Sequence, residues 1–451
     1  MGCWKYKERS VVLNVGKCGW GRCVFCGWGK RAGKESPEEA MAKIKKLIWE
    51  KTPKRLKIYT SGSLLDPKQY PTYFQRWLAE FLDRSCVEEL QIESLPTFIK
   101  YETIQPFLNR SYKLIMALGL EVANDEALMK LGKYPAMSVK SYISSALLLR
   151  NLGVSVKTYV LVNPPVENWE ELFKETMEVA LRYSDEVVII NTYPHSDSPL
   201  FKMWIDGKWY PLDEERFLEV VKPYLGDPRV SIDFNNFAFK PKFPKSLREY
   251  IRGAGRDQLI HPHYEVWQDF IVRFYKPPEK KTILLFVPCS YRKPYYKSKT
   301  WRSILRVLRK VGMRRLTHLV AISSPGVIPE EFANEYPFNS YDWPEWEETE
   351  EIKELYVKVN KERIIRFLLR HKDKYKVIAY YLKPNSESAR ALKEACIELG
   401  IRCIECLPED VFEKVRSEVK SSEITHPLAL KALEDCLENL KVTYLRELKI
   451  G

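Results

Sequence analysis

Glutamine and histidine are scarce in this chain. Each occurs six times in 451 residues, and the first histidine is His195. A histidine-built metal site is thereby excluded from the N-terminal part of the sequence. No run of about 18 apolar residues occurs, so a membrane-spanning helix is not expected. The N-terminus, Met1-Gly-Cys-Trp-Lys-Tyr-Lys-Glu-Arg9, has no apolar signal region, and a soluble cytoplasmic protein is the expectation. Ten cysteines scattered through such a chain are expected as thiols rather than as a disulfide framework. Few glutamines beside abundant Lys and Glu match the composition bias of thermophile proteins.

What is present is concentrated. Val11 to Val15 reads as a β-branched strand feeding a glycine-rich loop. That loop carries Cys18, Cys23 and Cys26 at a C-x4-C-x2-C spacing. Thiolates this close together in a loop ligate metal. Structural zinc takes four ligands, and the nearest candidates for a fourth are Cys3 and the distant Cys86. A four-iron cluster normally takes four cysteines, so three leave one iron open to a small ligand. Of the two metals the cluster fits the donor set better.

After this loop, short apolar strands alternate with helical patterns. Strands are predicted at Leu56–Thr60, Glu88–Glu93, Lys113–Gly119, Val154–Val162, Glu186–Ile190 and near Val230–Phe234. Helices are predicted at Pro37–Glu50, Tyr73–Arg84, Val139–Leu152 and Trp169–Tyr183. Such alternation implies a parallel sheet with helices outside, flat or curled into a partial barrel. Chemistry in these folds sits at the C-terminal ends of strands. Here those ends are polar: Thr60-Ser-Gly-Ser63, Glu93-Ser94, Gly119-Leu-Glu121 with Asn124-Asp125, and Asn163-Pro-Pro165. Small residues would admit the amino-acid end of a cofactor, and Glu93 or Glu121 could accept hydrogen bonds from a ribose or an amine.

The cysteine loop after a first strand resembles the radical SAM superfamily, whose open iron binds the amino and carboxylate groups of S-adenosylmethionine. The commonest spacing there is C-x3-C-x2-C, and this chain has one more residue between Cys18 and Cys23. Tyr59-Thr-Ser-Gly-Ser-Leu-Leu-Asp66, Glu93-Ser-Leu-Pro-Thr-Phe-Ile99, Gly119-Leu-Glu-Val-Ala-Asn-Asp125 and the Val156 to Pro165 segment narrow the likeness. In this order, over about the first 240 residues, they resemble the archaeosine-synthase radical SAM subunit of archaea. The resemblance implies an α/β fold, a partial (β/α)6 radical SAM barrel over residues 1–240. It implies a [4Fe-4S] cluster on Cys18, Cys23 and Cys26. It also implies S-adenosylmethionine held by Ser61, Gly62, Ser63, Glu93, Glu121 and Asn124, with Glu121 acting in catalysis as well. Leu95 stands where the family's Glu-Ser-x-Pro motif carries Arg.

Residues 241–275 are rich in Pro, Lys and aromatics and read as a connector, with His261 and His263 as polar surface. Residues 276–451 read as a second open α/β three-layer domain. Its first strand, Lys281-Thr-Ile-Leu-Leu-Phe-Val287, ends in Pro288-Cys-Ser290 and Lys293-Pro-Tyr295. With Ser323-Ser-Pro-Gly-Val-Ile-Pro329 and Tyr336-Pro337, these resemble the core domain of the archaeosine-synthase lysine-transfer subunit. That family attaches lysine to the nitrile of 7-cyano-7-deazaguanine in tRNA. Cys289 and Lys293 are the catalytic candidates here, a thiolate favoured by Lys293 and Arg292 being able to add to a nitrile. Trp301 stands near the place of a family histidine. No PUA-like RNA-binding tail is expected after this domain. Cys396, Cys403 and Cys406 mimic a metal motif but, divided between a helix and a strand, read as core cysteines.

Charge is uneven. Between Lys276 and Arg315 there are thirteen Lys or Arg against the single acid Glu279, which is +12 of the chain's +13. With Tyr291, Tyr295, Tyr296 and Trp301 interleaved, this block reads as an RNA-contacting surface. Together the resemblances imply a tRNA-modifying radical SAM enzyme of archaeosine biosynthesis. It would cleave the C–N bond of a lysine adduct on a 7-deazaguanine base, and its C-terminal domain would dock tRNA or transfer lysine. The implied partners are tRNA, an electron donor, a separate lysine-transfer subunit and no membrane. The alternatives are a radical SAM enzyme for another RNA or small molecule, and a zinc-stabilised RNA-binding scaffold.

Overall fold

The computed structural model describes residues 6–30, 33–234, 240–419 and 422–450; Cys3 lies outside them. The chain divides into two compact units, Met1–Phe239 and Lys240–Gly451. In the first, seven strands form one all-parallel sheet in sequence order: β1 (Tyr6–Leu13), β2 (Pro53–Thr60), β3 (Glu89–Glu93), β4 (Lys113–Glu121), β5 (Ser155–Val162), β6 (Glu186–Asn191) and β7 (Val230–Asp233). Each βα crossover returns to the neighbouring position, and the sheet curls into a partial barrel. β7, on the strand predicted near Val230–Phe234, adds an edge strand after the six βα repeats. Helices Pro37–Lys51, Thr72–Asp83, Val139–Asn151 and Trp169–Tyr183 connect the strands. The first starts sharply because Ser36 and Glu39 form a capping box and Pro37 occupies the first turn.

Strand limits shift from the sequence reading, and two of the shifts bear on the site. β1 begins at Tyr6 rather than Val11, since its polar start pairs along β2 and Glu8 reaches Lys57 at 2.8 Å. β4 runs on to Glu121 through a register shift between Gly119 and Glu121. Glu121 takes a φ of 60°, the left-handed region that side chains rarely adopt. The bulge turns the Glu121 carboxylate into the lumen.

The second unit holds a five-stranded sheet ordered β11-β10-β9-β13-β14, with β9 (Ile283–Pro288), β10 (Thr317–Ser323), β11 (Gly326–Pro329), β13 (Val377–Tyr380) and β14 (Ile404–Glu405). A separate parallel pair joins β8 (Ile251–Arg252) to β12 (Tyr341–Asp342). The Ser323–Pro329 stretch closes an antiparallel hairpin through Gly326, whose φ is 105°. Ile283 to Val287 and Leu319 to Ala321 are fully buried, as central strands covered on both faces require. Helices Pro262–Arg273 and Glu350–His371 pack together, and so do Lys299–Lys310 and Pro427–Ile450.

The supposed connector is part of this unit. Pro262–Arg273 is a 12-residue helix that buries Trp267, whose indole donates to the Tyr336 carbonyl at 2.8 Å. His263 is likewise core rather than surface, 2.7 Å from the Tyr336 hydroxyl. Cys406 is not a free core thiol: it is bonded to Cys436, which the terminal helix brings to a Cα separation of 5.4 Å. Cys396 and Cys403 lie in side-chain contact as thiols.

Burial holds His263 and His371 well below the usual histidine value of 6.5, each at about 4. The unfolded chain therefore binds more protons than the folded one between about pH 6.5 and 4, and stability is lost as pH falls through that window. At about 1.4 kcal/mol per pKa unit, each histidine is worth about 3 kcal/mol across it. Denaturant midpoints are expected to fall between pH 7 and 4.5, and His371→Phe is expected to flatten that dependence.

Candidate functional site

The inner face of the curled sheet is polar. Period-two alternation points Lys57 and Tyr59 of β2, Gln91 and Glu93 of β3, Lys157 and Tyr159 of β5, and Ser231 and Asp233 of β7 toward one lumen. The deepest charges compensate one another: Lys57 with Glu8, Lys157 with Glu186 at 3.2 Å, and Arg55 with Glu89 and Glu186. Above them opens a cavity of about 380 Å³, at the C-terminal ends of the strands.

Cys18, Cys23 and Cys26 line that cavity together with Ser61, Gly62, Glu93 and Glu121. The cysteine loop is held against the barrel by backbone and side-chain bonds. Val24 N–H donates to the Leu131 carbonyl at 2.9 Å, and the Trp20 indole to the Gly132 carbonyl at 2.7 Å. A Cβ on Gly29 would sit 2.6 Å from the Gly21 Cα, so this tight fold of the loop needs glycine. Burial pushes the Cys23 thiol up to about 12 and raises Cys26 as well; a metal would have to displace those protons.

Among the described residues, the groups of three or more ligand atoms lying within 4.8 Å of one another are Glu249–His261–His263 and His318–Glu330–Glu331. The three thiols are not gathered that closely. A tetrahedral zinc with Zn–S bonds of about 2.3 Å would draw its sulfurs to about 3.8 Å. Cys86, the downstream candidate for a fourth ligand, is disulfide-bonded.

Glu121 is buried against Lys133, whose ammonium also donates to the Gly119 carbonyl at 2.7 Å. Its second oxygen, Oε2, is buried without a hydrogen-bond partner. An orphaned carboxylate oxygen on a cavity wall fits an amine or ribose donor. Glu93 accepts from the Thr60 N–H at 3.1 Å and the Tyr159 hydroxyl at 3.2 Å. The small polar turn is locked by Gln69, which donates to the Ser61 hydroxyl at 2.7 Å and accepts from the Ser63 N–H at 3.0 Å. A Cβ on Gly62 would stand 3.0 Å from the Cys18 Cα.

Two expected residues do not reach the lumen. Ser63 is buried behind the turn, its hydroxyl 2.6 Å from that of Ser94. Asn124 caps the following helix, its carbonyl oxygen accepting from the Ala127 N–H at 2.9 Å. Gln69, Lys133 and Tyr159 escaped sequence reasoning. Gln69 lies beyond a predicted strand end, Lys133 beyond a helix, and Tyr159 inside a strand. The scarcity of glutamine was the one available signal for the first.

The second unit has its own cavity, about 710 Å³, lined by Cys289, Lys293, Ser323 and Tyr341 among others. Cys289 and Lys293 are therefore brought together, but not as expected. Burial raises the Cys289 thiol despite hydrogen bonding from Ser323 and the charge of Lys293. Lys293, itself depressed by burial, sits over the Tyr341 ring at 3.8 Å from its centroid. Arg292 is exposed and absent from the lining. Trp301 is core, its indole donating to the Pro288 carbonyl at 3.0 Å. Of the aromatics read as base-stacking, Tyr295 is also core, whereas Tyr291 and Tyr296 are exposed. On the helix Lys299–Lys310 the apolar face is buried, and Arg302, Arg306 and Arg309 face outward. Lys310 pairs with Glu434, and Lys281 and Arg314 share Glu330.

Known proteins are similar to parts of this chain. Residues 265–417 match a family described as a domain of unknown function, DUF5591. This chain is 33% identical over 118 residues to archaeosine synthase subunit alpha of Thermoplasma acidophilum, covering 25% of this chain and 22% of that protein. It is 21% identical over 218 residues to archaeosine synthase subunit alpha of Thermococcus kodakarensis, covering 48% and 35%. The chain thus spans less than half the length of these curated relatives. A solved structure of queuine lyase from Clostridium spiroforme bound to SAM and queuine aligns with a TM-score of 0.37 at 16% identity, over 50% of this chain and 90% of that one. No helix among the described residues is long and apolar enough to cross a membrane.

Proposed function

We propose that this protein is a radical SAM enzyme acting on a 7-deazaguanine base in tRNA, in the formation of archaeosine. The observation that carries the reading is one cavity, at the C-terminal end of a parallel partial barrel, lined by three thiols and an orphaned carboxylate oxygen. Similarity to archaeosine synthase subunit alpha supports the substrate class. Cys18, Cys23 and Cys26 would hold a [4Fe-4S] cluster, while Ser61, Gly62 and Glu121 would hold S-adenosylmethionine. Ser63 and Asn124 would act from behind, by shaping the turn and the helix that follow β2 and β4. When bound and supplied with an electron from a donor, this pair of cofactors provides carbon–sulfur cleavage and hydrogen abstraction.

The chain's own residues do the rest. Glu121, neutralised on one oxygen by Lys133, presents the other to a cofactor N–H or O–H. Trp20, Phe25 and Trp28 line the cysteine side of the cavity and limit water there. The second unit would dock tRNA on the outward face of Arg302, Arg306 and Arg309, with binding that weakens steeply as salt rises. Lysine addition at Cys289 and Lys293 would demand a thiolate that burial opposes. A separate lysine-transfer subunit therefore suits the role better.

The test is nucleoside mass spectrometry of tRNA from a strain lacking this protein. Archaeosine is expected to disappear and the lysine adduct to accumulate. Unchanged archaeosine would remove the tRNA reading.

A further inference from the structure

The two carboxylates of the lumen are not equivalent. Glu121 has a cation of its own in Lys133. Glu93 has only neutral donors, the Thr60 amide and the Tyr159 hydroxyl. Among the described residues no Lys, Arg or His nitrogen forms an ion pair with it within 4.0 Å. The lumen cations Lys57 and Lys157 are paired to Glu8 and Glu186. Glu93 thus lines the cavity as a carboxylate without a counter-ion, enclosed by protein on its other sides.

Each Glu93 oxygen accepts one hydrogen bond from the protein, and each carboxylate oxygen can accept another. Two parallel N–H bonds are the pattern a planar amidinium or guanidinium offers to a carboxylate. The cavity lining also includes the apolar side chains of Ala117, Val188 and Ile190. Such a lining accommodates a heteroaromatic ring bearing that group.

We propose that Glu93 is a substrate-binding residue that pairs with a cationic amidine on the substrate, through two charge-assisted hydrogen bonds. This rests on the function proposed above: addition of an amine to a nitrile gives an amidine, so a lysine adduct of a cyano-base carries one at the bond to be cleaved. Glu93 would then hold that bond in register with the thiol side of the same cavity. Tyr159 is a positioning residue, its hydroxyl fixing the carboxylate, and Gln91 in turn approaches Tyr159 at 3.3 Å.

Burial, as the largest cause, holds Glu93 up at about 7, so amidine binding should strengthen as pH rises through neutrality. The other titratable or charged groups facing this cavity are Lys57 and Tyr59 on β2, Glu121 on β4 with Lys133, Lys157 and Tyr159 on β5, Glu186 on β6, Asp233 on β7 and the thiols Cys18, Cys23 and Cys26. A Glu93→Gln variant separates the contribution of Glu93 from theirs.

The experiment is calorimetric titration of the reconstituted full-length protein with benzamidine, at pH 6 and pH 8. Wild type is expected to bind about tenfold more tightly at pH 8, as a group titrating at about 7 requires. Glu93→Gln should bind at least about tenfold more weakly with no pH dependence, and Glu93→Asp should fall between. Glu93 is here assigned to the substrate and not to S-adenosylmethionine, to which the sequence reading gave it, so S-adenosylmethionine binding on the same samples should change less than about twofold, the charge-assisted pair being absent from it. Equal benzamidine binding by wild type and Glu93→Gln overturns the proposal. So does undetectable binding by wild type, or a loss that falls on S-adenosylmethionine instead. The outcome is independent of the tRNA reading: benzamidine bound through Glu93 with archaeosine unchanged keeps the amidine site and removes the tRNA substrate. Archaeosine formation by Glu93→Gln at the wild-type rate does the reverse.

Discussion

Replacement of any one of Cys18, Cys23 and Cys26 by Ala is expected to abolish the broad iron–sulfur absorbance of anaerobically reconstituted protein, and with it all cleavage of S-adenosylmethionine. A cluster held by three thiolates has no spare ligand, and among the candidates for a replacement Cys86 is already disulfide-bonded. The loss should be complete rather than partial for each position. It should also leave the fold intact, because the loop is pinned by Val24 and Trp20 to the Leu131–Gly132 turn independently of the thiols. Circular dichroism and the denaturant midpoint test that clause. Zinc bound in stoichiometric amount by aerobically purified wild type, with no iron taken up on reconstitution, would overturn the cluster. Retention of the absorbance by the triple Ala variant would do the same.

The second large effect concerns Lys133. Its ammonium is buried between the Glu121 carboxylate and the Gly119 carbonyl. Lys133→Met removes the cation and leaves a buried carboxylate uncompensated, a change that typically costs about 3–5 kcal/mol. Denaturant unfolding of the first unit should shift to match. The double variant Lys133→Met with Glu121→Gln should recover much of that stability, since a neutral pair of similar volume carries no desolvated charge. It should nonetheless remain inactive if Glu121 binds the cofactor. Recovery of both stability and turnover by the double variant would show that the pair is structural only.

Much of the fold was legible in the chain because its signals are local. Helix Trp169–Tyr183 has the limits its periodicity predicts, and β2 to β6 fall on the apolar runs. The errors share a cause. His263 and Trp267 look like polar and aromatic decoration of a Pro-rich connector, and only packing against Tyr336 makes them core. Cys406 looks like a lone strand-end thiol until a helix 30 residues on supplies Cys436. Tyr295 and Trp301 look like stacking rings within a basic block, but their amphipathic position turns them inward while Arg302, Arg306 and Arg309 turn out.

The rarest residue types make the same point. Gln69, Gln75, Gln91 and Gln268 are buried. Gln69 locks the Ser61–Ser63 turn, and Gln268 bonds the backbone around Gly326. Composition announced that glutamine was sparingly used, but not that each buried copy satisfies backbone or lumen groups. What the sequence determined alone was the βα alternation, the thiol loop after a first strand and the polar strand ends, because each follows from spacing along the chain. What only the tertiary structure decided was the pairing of charges across the lumen: Glu121 with Lys133, Lys157 with Glu186, and Glu93 with no cation. Those partners lie on different strands and loops, and the energy of a buried charge depends on what stands opposite it rather than on its neighbours in sequence.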